Sequence, residues 1–258
     1  MKINLLLILL LPFLNLFASS VGNVASPAII EEGLFISDKA WFNFRLGYEN
    51  YNVEDLCLKF QDTDNENSFG IHKVKAYANI GSFTINIKER LDAYINFGSM
   101  KIEPYIKKHQ TLLYKSKSED GFLFRVGSKL VIFEILDFTL GVDAKYSIFK
   151  AKNEYLTLND SPIEDNKFKY VFNEWQITLG VSQKISILRP YGGIVYRDSN
   201  LTFNNTPYYN NNKMKLTFDK KAGAVIGSSA SIGTFVLINA ELRFINERSA
   251  SISGELRF

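Results

Sequence analysis

Cysteine and histidine are scarce in this chain, and catalytic motifs are missing. The 258 residues include one cysteine, Cys57, and two histidines, His72 and His109. A single cysteine excludes an internal disulfide bond. The sequence contains no paired-cysteine metal spacing, no Gly-x-Ser-x-Gly and no His-Glu-x-x-His. We therefore predict no enzyme activity, no metal site and no cofactor, because lone histidines near polar loops are more often solvated than catalytic.

An excess of charge of one sign is also missing, as is a long apolar run beyond the N-terminus. The chain has 30 Lys and Arg against 27 Asp and Glu, so no nucleic-acid partner is expected. A membrane-spanning helix needs about 20 predominantly apolar residues. No segment after residue 20 provides them, although 46% of the residues are hydrophobic. A helical membrane protein is therefore not predicted.

The first 20 residues have the pattern of a secretory signal peptide. Lys2 supplies the positive charge, an apolar core follows, and Ala18-Ser19-Ser20 offers small residues for cleavage. No cysteine stands at the cleavage point, so a lipoprotein is not expected. We predict a signal peptide at 1–20, a periplasmic N-terminal segment at 21–40 and one β-barrel domain at 41–258.

The strongest positive signal is apolar/polar alternation with a period of two, which is typical of β-strands that face two different environments. It is clearest at the C-terminus, where apolar or small residues at 250, 252, 254, 256 and 258 alternate with polar residues. The same alternation occurs at 121–130, 136–149, 170–182 and 234–244. No segment sustains the spacing of an amphipathic helix.

The connecting segments are alternately short and long. Short ones fall near 88–91, 132–136, 183–187 and 228–233, and long polar ones at 62–67, 101–120, 150–167 and 198–212. Outer-membrane barrels have short periplasmic turns and longer external loops. The count favours ten strands with 41–60 as one long strand. Twelve result if 41–60 is a hairpin and 105–116 adds a strand.

A soluble β-sandwich also shows alternation, but its strands usually have about 5–6 residues, and the alternating segments here are longer. Charged residues also stay on one face in strand after strand. The sequence therefore predicts an all-β fold, a transmembrane antiparallel up-and-down β-barrel in the bacterial outer membrane.

Short segments spread over the chain resemble one porin family. They are Gly22-Asn23-Val24-Ala25-Ser26-Pro27-Ala28, Trp41 to Tyr48, Arg90-Leu91-Asp92, Glu174-Trp175-Gln176, Pro190-Tyr191, Glu241-Leu242-Arg243, Glu247-Arg248-Ser249-Ala250 and Leu256-Arg257-Phe258. Together they are similar to the major outer-membrane protein (MOMP-like) porins of the Chlamydiae. This chain is shorter and poor in cysteine, so disulfide cross-linking is not carried over. The terminal Phe258 also resembles the signal that bacterial barrels present to the barrel-assembly machinery.

If the apolar faces contact lipid, a set of charged residues points inward, with Glu49 and Arg197 among them. The candidate pore-lining residues are Arg45, Asp92, Arg125, Lys129, Asp143, Lys145, Glu174, Glu241, Arg243, Glu255 and Arg257. They could line a water-filled channel or pair with one another and fill a narrow lumen.

Two functions remain open. The first, which the resemblance favours, is a porin for passive diffusion of ions and small hydrophilic solutes. The second is a non-conducting structural or adhesive barrel whose loops contact host or envelope proteins. Expected partners are outer-membrane lipid, the assembly machinery through Phe258, and further copies of the chain in a homo-oligomer.

Overall fold

The alternating segments form long strands in the computed structural model, which describes residues 22–29, 41–61, 69–108, 111–163, 168–204, 213–232 and 235–258. The strands are β1 (Phe42–Leu56), β2 (Leu58–Phe60), β3 (Phe69–Ile87), β4 (Leu91–Lys108), β5 (Leu112–Ser118), β6 (Gly121–Ile135), β7 (Phe138–Leu158), β8 (Ser161–Pro162), β9 (Lys169–Gln183), β10 (Leu188–Asn204), β11 (Lys213–Phe218), β12 (Ala222–Ile232), β13 (Val236–Phe244) and β14 (Glu247–Arg257). A single 3-10 turn, Ser26–Ala28, precedes them. Within the described residues, no helix has the length and apolar character needed to cross a membrane.

Ten of the strands close into a ring. In order they are β1, β3, β4, β6, β7, β9, β10, β12, β13 and β14, each antiparallel to the next, and β14 pairs with β1. Phe258 completes the seam, because its N–H donates to the carbonyl of Phe44 at 2.8 Å. The predicted ten-stranded antiparallel barrel is confirmed.

The remaining four strands extend the wall at one end. We call this the upper end; the lower end carries the turn at Lys88–Arg90 and the C-terminus. β5 pairs with β4 and β7 above β6, while β11 joins β10 to β2. β8 lies against β7. The extra strand expected near 105–116 for a twelve-stranded barrel therefore exists as β5, but it lies outside the ring.

The prediction of long loops at 101–120, 150–167 and 198–212 is wrong in part, because a portion of each segment forms a strand. β4 continues to Lys108 and forms a hairpin with β5, β7 continues to Leu158, and β10 continues to Asn204. The segments at 101–120 and 150–167 are rich in lysine and tyrosine, and 198–212 is rich in asparagine, which suggested polar loops. They form strands because their alternate residues are apolar and face inward.

The polarity of the two faces inverts part-way up the wall. In the lower half of β4, Asp92 and Asn96 are buried inside while Ile95 and Phe97 are exposed outside. Higher on the same strand, Ile102 is buried inside, and outward Lys101 pairs with Asp120 at 3.1 Å. β7 repeats the inversion: Asp143 and Lys145 lie inside below, and Phe149 and Leu156 lie inside above. The wall is apolar outside below and polar outside above.

The N-terminal residues 22–29 lie inside the lower barrel. Asn23, Ala25 and Ser26 are buried there, and the side-chain amide of Asn23 donates to Ser182 Oγ on β9 at 3.0 Å. Residues 22–29, part of the predicted periplasmic segment at 21–40, thus have buried hydrogen-bond partners on the inner wall. The predicted signal peptide at 1–20 falls outside the described residues.

Candidate functional site: the barrel interior

The lower interior holds a charge-balanced layer of side chains. Of the eleven candidate pore-lining residues, nine are buried and Glu174 and Glu255 are partly buried. With Glu49, Arg197 and Glu247, the described inward set contains seven basic and seven acidic residues. They are Arg45, Arg125, Lys129, Lys145, Arg197, Arg243 and Arg257, with Glu49, Asp92, Asp143, Glu174, Glu241, Glu247 and Glu255. Removing charges from water is costly unless they pair well and are hydrogen-bonded.

Glu247 is the centre of one ion-pair network. Its two carboxylate oxygens accept hydrogen bonds from Arg197 at 2.8 Å and from Arg243 at 3.1 Å. Arg243 also donates to Glu241 at 2.8 Å, and Arg197 lies 3.3 Å from Glu174. Tyr191 donates to Glu241 at 2.9 Å. The network links β9, β10, β13 and β14 across the lumen.

A second network includes the N-terminal segment. Arg45 forms an ion pair with Asp92 and lies 3.4 Å from Glu255. The Arg45 guanidinium donates to the Ser26 carbonyl at 3.0 Å, and the Ser26 hydroxyl donates to Asp92 at 3.1 Å. Asn86 donates to Asp92 at 2.7 Å and to the Pro27 carbonyl at 3.2 Å. Residues 22–29 are thus held by charged and polar groups of the wall.

A small cavity lies beside this second network. Arg125 pairs with Glu49 at 3.2 Å, and Tyr94 donates to Asp143 at 2.6 Å. The cavity beside Arg125, Arg45 and Tyr94 has a volume of about 40 Å³. A water molecule needs roughly 10–15 Å³ of such volume, so this space holds a few waters and no larger solute.

Two glycines make room for residues 22–29. A Cβ at Gly141 would stand 2.7 Å from the Val24 carbonyl oxygen, and one at Gly180 would stand 3.0 Å from a Val24 methyl. Both glycines belong to the inward face, on β7 and β9. Glycine inside a strand often marks a close approach of another chain segment, and here that segment is the protein's own N-terminal stretch.

The upper interior is a hydrophobic core. Its buried side chains include Tyr51, Val53, Leu56, Leu58, Phe60, Val74, Ile80, Met100, Ile102, Ile106, Leu123, Phe149, Leu156, Phe168, Tyr170, Phe172, Leu201, Phe203, Met214, Leu216 and Phe218. Phe168, Tyr170 and Phe203 form an aromatic cluster with ring centroids 5.1 to 6.3 Å apart. Such packing stabilises the extension, and the described interior at this level is mostly apolar.

Several interior residues were not predicted from the sequence. Glu247 is not among the predicted pore-lining residues, yet it is fully buried. The signal was present, because Glu247 continues the inward series of Ser249, Ser251, Ser253 and Glu255 by two residues. Tyr94 and Tyr191 also occupy the interior as hydrogen-bond donors, and the available signal was that they alternate in step with Asp92 and Arg197.

The residues considered for chemistry remain scattered. His72 is exposed on β3, and His109 lies outside the described residues. Cys57 is half-buried at the break between β1 and β2. In the described ranges, no three His, Cys, Asp or Glu side chains are grouped so as to hold a metal ion.

Comparison with solved structures finds outer-membrane proteins. The chain is similar to the translocator domain of the autotransporter NalP from Neisseria meningitidis, with 13% identity, a TM-score of 0.42, and coverage of 84% of this chain and 88% of that one. The chain is also similar to OprG from Pseudomonas aeruginosa, with 11% identity, a TM-score of 0.34, and coverage of 84% of this chain and 95% of that one.

CdiB from Acinetobacter baumannii shares 10% identity over 85% of this chain at a TM-score of 0.31, and the chain spans 60% of its length. These similarities assign no activity and no residue role. No curated protein matches the chain in sequence.

A family assignment comes from the C-terminal half. Residues 126–258 match the family of unknown function DUF6588. This region covers β7 to β14 and most of β6, and so contributes six complete strands of the ring and most of a seventh. The chain belongs to the DUF6588 family.

Proposed function

We propose that this protein is an outer-membrane β-barrel whose lumen does not conduct ions or small solutes. Its upper strands form a rigid extension above the membrane. The observation that carries the proposal is the inversion of polarity along the wall. Below the inversion, apolar side chains point outward, and above it they fill the interior. Each half thus buries its apolar surface in the medium available to it, lipid below and protein above.

The exposed apolar belt has the height of a membrane. On β7, outward residues are apolar or aromatic from Phe138 to Ile148 and then change to Lys150 and Lys152. A transmembrane β-strand needs about 9–11 residues, which this stretch provides. Soluble proteins rarely expose a contiguous apolar surface of this extent, so a hydrocarbon environment is its natural partner.

The exterior above the belt is basic and hydrated. Outward lysines there form exposed ion pairs, such as Lys115 with Asp160 and Lys221 with Asp198. The hydrogen bond to Asp198 raises the pKa of the Lys221 ammonium group, so it stays charged at neutral pH. These exposed charges add little stability, but they keep the upper wall in water.

Passive diffusion through the lumen requires a continuous water path. Two layers of the interior, one in the lower lumen and one in the upper lumen, block such a path. The lower lumen is occupied by residues 22–29 and by paired charges, and the upper lumen is a hydrophobic core. A narrow ten-stranded barrel lies near the size at which side chains fill the interior. The described interior therefore favours the structural or adhesive barrel over the porin.

Single-channel recording tests this proposal. The purified, refolded protein in a planar bilayer is expected to give no discrete conductance steps. A variant lacking residues 22–29 is expected to be silent as well, because the upper core remains. Insertion is checked independently by the protease resistance of the strands in liposomes. Reproducible steps from inserted wild-type protein would contradict the proposal and support the porin.

The other expectations stay predictions. They are the relationship to the chlamydial MOMP-like porins, recognition of Phe258 by the assembly machinery, assembly into a homo-oligomer, and the absence of enzyme activity.

A further inference from the structure

A groove crosses the outer wall where the apolar belt meets the basic exterior. Its volume is about 760 Å³, and its lining comes from β1, β3, β13 and β14. Ligand pockets typically have volumes of about 300–1,000 Å³. The groove opens on the outer wall, and Arg243 of the Glu247 network lies behind its floor.

Strand register explains the groove. Leu242 on β13 is opposite Ala250 on β14, Ala250 is opposite Asn52 on β1, and Asn52 is opposite Tyr77 on β3. This outward row has large side chains at its two ends and small ones in the middle. The floor is therefore low between two raised sides.

One strand irregularity lies directly above this row on β1, and a second lies higher on β3. The β1–β14 register shifts between Val53 and Asp55, and the β3–β4 register shifts between Ile71 and Lys73. Bulges bend a strand and redirect its side chains, and they are over-represented beside functional sites. Here they accompany the basic residues at the upper rim.

The two sides of the groove differ in chemistry. One side, formed by β13 and its turn into β14, presents Leu242, Phe244 and Ile245, which are 38%, 41% and 56% exposed. The other side presents Lys73 and Lys75 of β3 and Arg248 of β14. An apolar surface beside a cluster of cations complements an anionic amphiphile.

The positive charge of this second side is only partly compensated. Lys73 pairs with Glu54 at 3.0 Å. Lys75 lies 5.6 Å from the centre of the Tyr105 ring, and among described residues neither it nor Arg248 has a carboxylate within ion-pair distance. Asp55 is opposite Arg248 in register, but its carboxylate accepts the Val74 N–H at 3.2 Å. Glu54 also interacts electrostatically with Lys75 and Arg248, so Lys73, Lys75 and Arg248 together exceed its charge by two positive charges.

Ile245 sits at this groove with a strained backbone. Its φ is 83°, in the left-handed region that a β-branched residue rarely adopts. Glycine would fit this conformation without strain. An apolar side chain is kept there at a cost to stability, which is common at binding sites.

We propose that this groove binds a phosphate-bearing lipid of the membrane, with the phosphate between Lys75 and Arg248 and an acyl chain along Leu242, Phe244 and Ile245. The inference rests on the proposed membrane placement, which puts this row at the lipid–water boundary. Basic side chains near a membrane surface attract anionic lipids, and the apolar side provides the contact that a free phosphate ion lacks.

Native mass spectrometry of the full barrel in neutral detergent tests the site. The probes are dioleoylphosphatidate, its phosphate-free counterpart dioleoylglycerol, and inorganic phosphate. Wild type is expected to retain dioleoylphosphatidate at least tenfold more tightly than dioleoylglycerol, and inorganic phosphate is expected not to displace it. The double variant K75Q/R248Q is expected to lose about tenfold in affinity. The control K150Q/K152Q removes two outward lysines of β7 and is expected to bind normally.

Ile245→Gly separates binding from folding. It removes the backbone strain, so the barrel is expected to resist urea at least as well as wild type while binding dioleoylphosphatidate less tightly. Three results would overturn the site. They are an equal loss of dioleoylphosphatidate affinity in K75Q/R248Q and K150Q/K152Q, unchanged affinity in K75Q/R248Q, and displacement of dioleoylphosphatidate by inorganic phosphate. None of these results bears on the membrane placement, which liposome insertion tests separately.

Discussion

Arg197 lies over the ring of Phe218, with 4.0 Å between the guanidinium carbon and the ring centroid. The same guanidinium pairs with Glu247 below, while the ring belongs to the hydrophobic core above. This contact is the boundary between the two halves of the interior. A cation on an aromatic face is a stable way to end a charged layer against an apolar one.

The upper core is expected to support the stability of the whole barrel. Ile102→Ala removes a fully buried side chain and should lower the free energy of unfolding by about 2–5 kcal/mol. The matched control is Lys101→Ala, one residue away on the outward face, which should change it little. Urea unfolding followed by tryptophan fluorescence measures both. Equal effects would mean that the upper strands are not packed on their inner face.

The Glu247 network predicts a large cost for removing its shared acceptor. Glu247→Gln leaves Arg197 and Arg243 buried with one carboxylate fewer, and breaking a buried pair typically costs about 3–5 kcal/mol. Asp219→Asn breaks the half-exposed pair with Lys59, 3.6 Å apart, and should leave stability unchanged.

Comparative thermal unfolding in detergent distinguishes these outcomes. A Glu247→Gln barrel as stable as wild type would show that the network does not exist.

Residues 22–29 pack against Gly141, so a larger side chain at this position is expected to displace them. In a Cys57→Ser background, a cysteine placed at Ala25 is buried and should react slowly with a maleimide. Adding Gly141→Val pushes a side chain against the Val24 carbonyl and should raise the labelling rate at least tenfold.

Gly254→Val is the matched control, since a Cβ at Gly254 meets no atom within 4 Å. If Gly254→Val exposes Ala25→Cys as strongly as Gly141→Val does, the segment is not held by the β7 wall.

The lower half of the barrel could be predicted from the sequence because its strands alternate apolar outward residues with polar inward residues. Leu256 and Ile238 face lipid and Arg257 and Glu241 face inward, as alternation at the C-terminus indicates. The ring of ten strands follows from the alternating connector lengths.

The upper half could not be predicted in the same way, because there the apolar residues point inward and the polar residues point outward. Lys101, Tyr105 and Lys107 made the segment resemble a loop, although Ile102 and Ile106 keep the period of two on the other face. The position of residues 22–29 inside the lumen depends on distant partners such as Asp92 and Ser182. Local pattern carries no information about such contacts.

The inversion of polarity on β7 is the central claim, and spin labels along its outward face test it most directly. Single nitroxides at Tyr146, Ile148, Lys150 and Lys152 are compared in liposomes for collision with oxygen, which concentrates in lipid, and with a water-soluble nickel complex. The labels at Tyr146 and Ile148 should collide mainly with oxygen, and those at Lys150 and Lys152 mainly with nickel. Nickel access at all four positions would contradict a membrane belt that ends between Ile148 and Lys150.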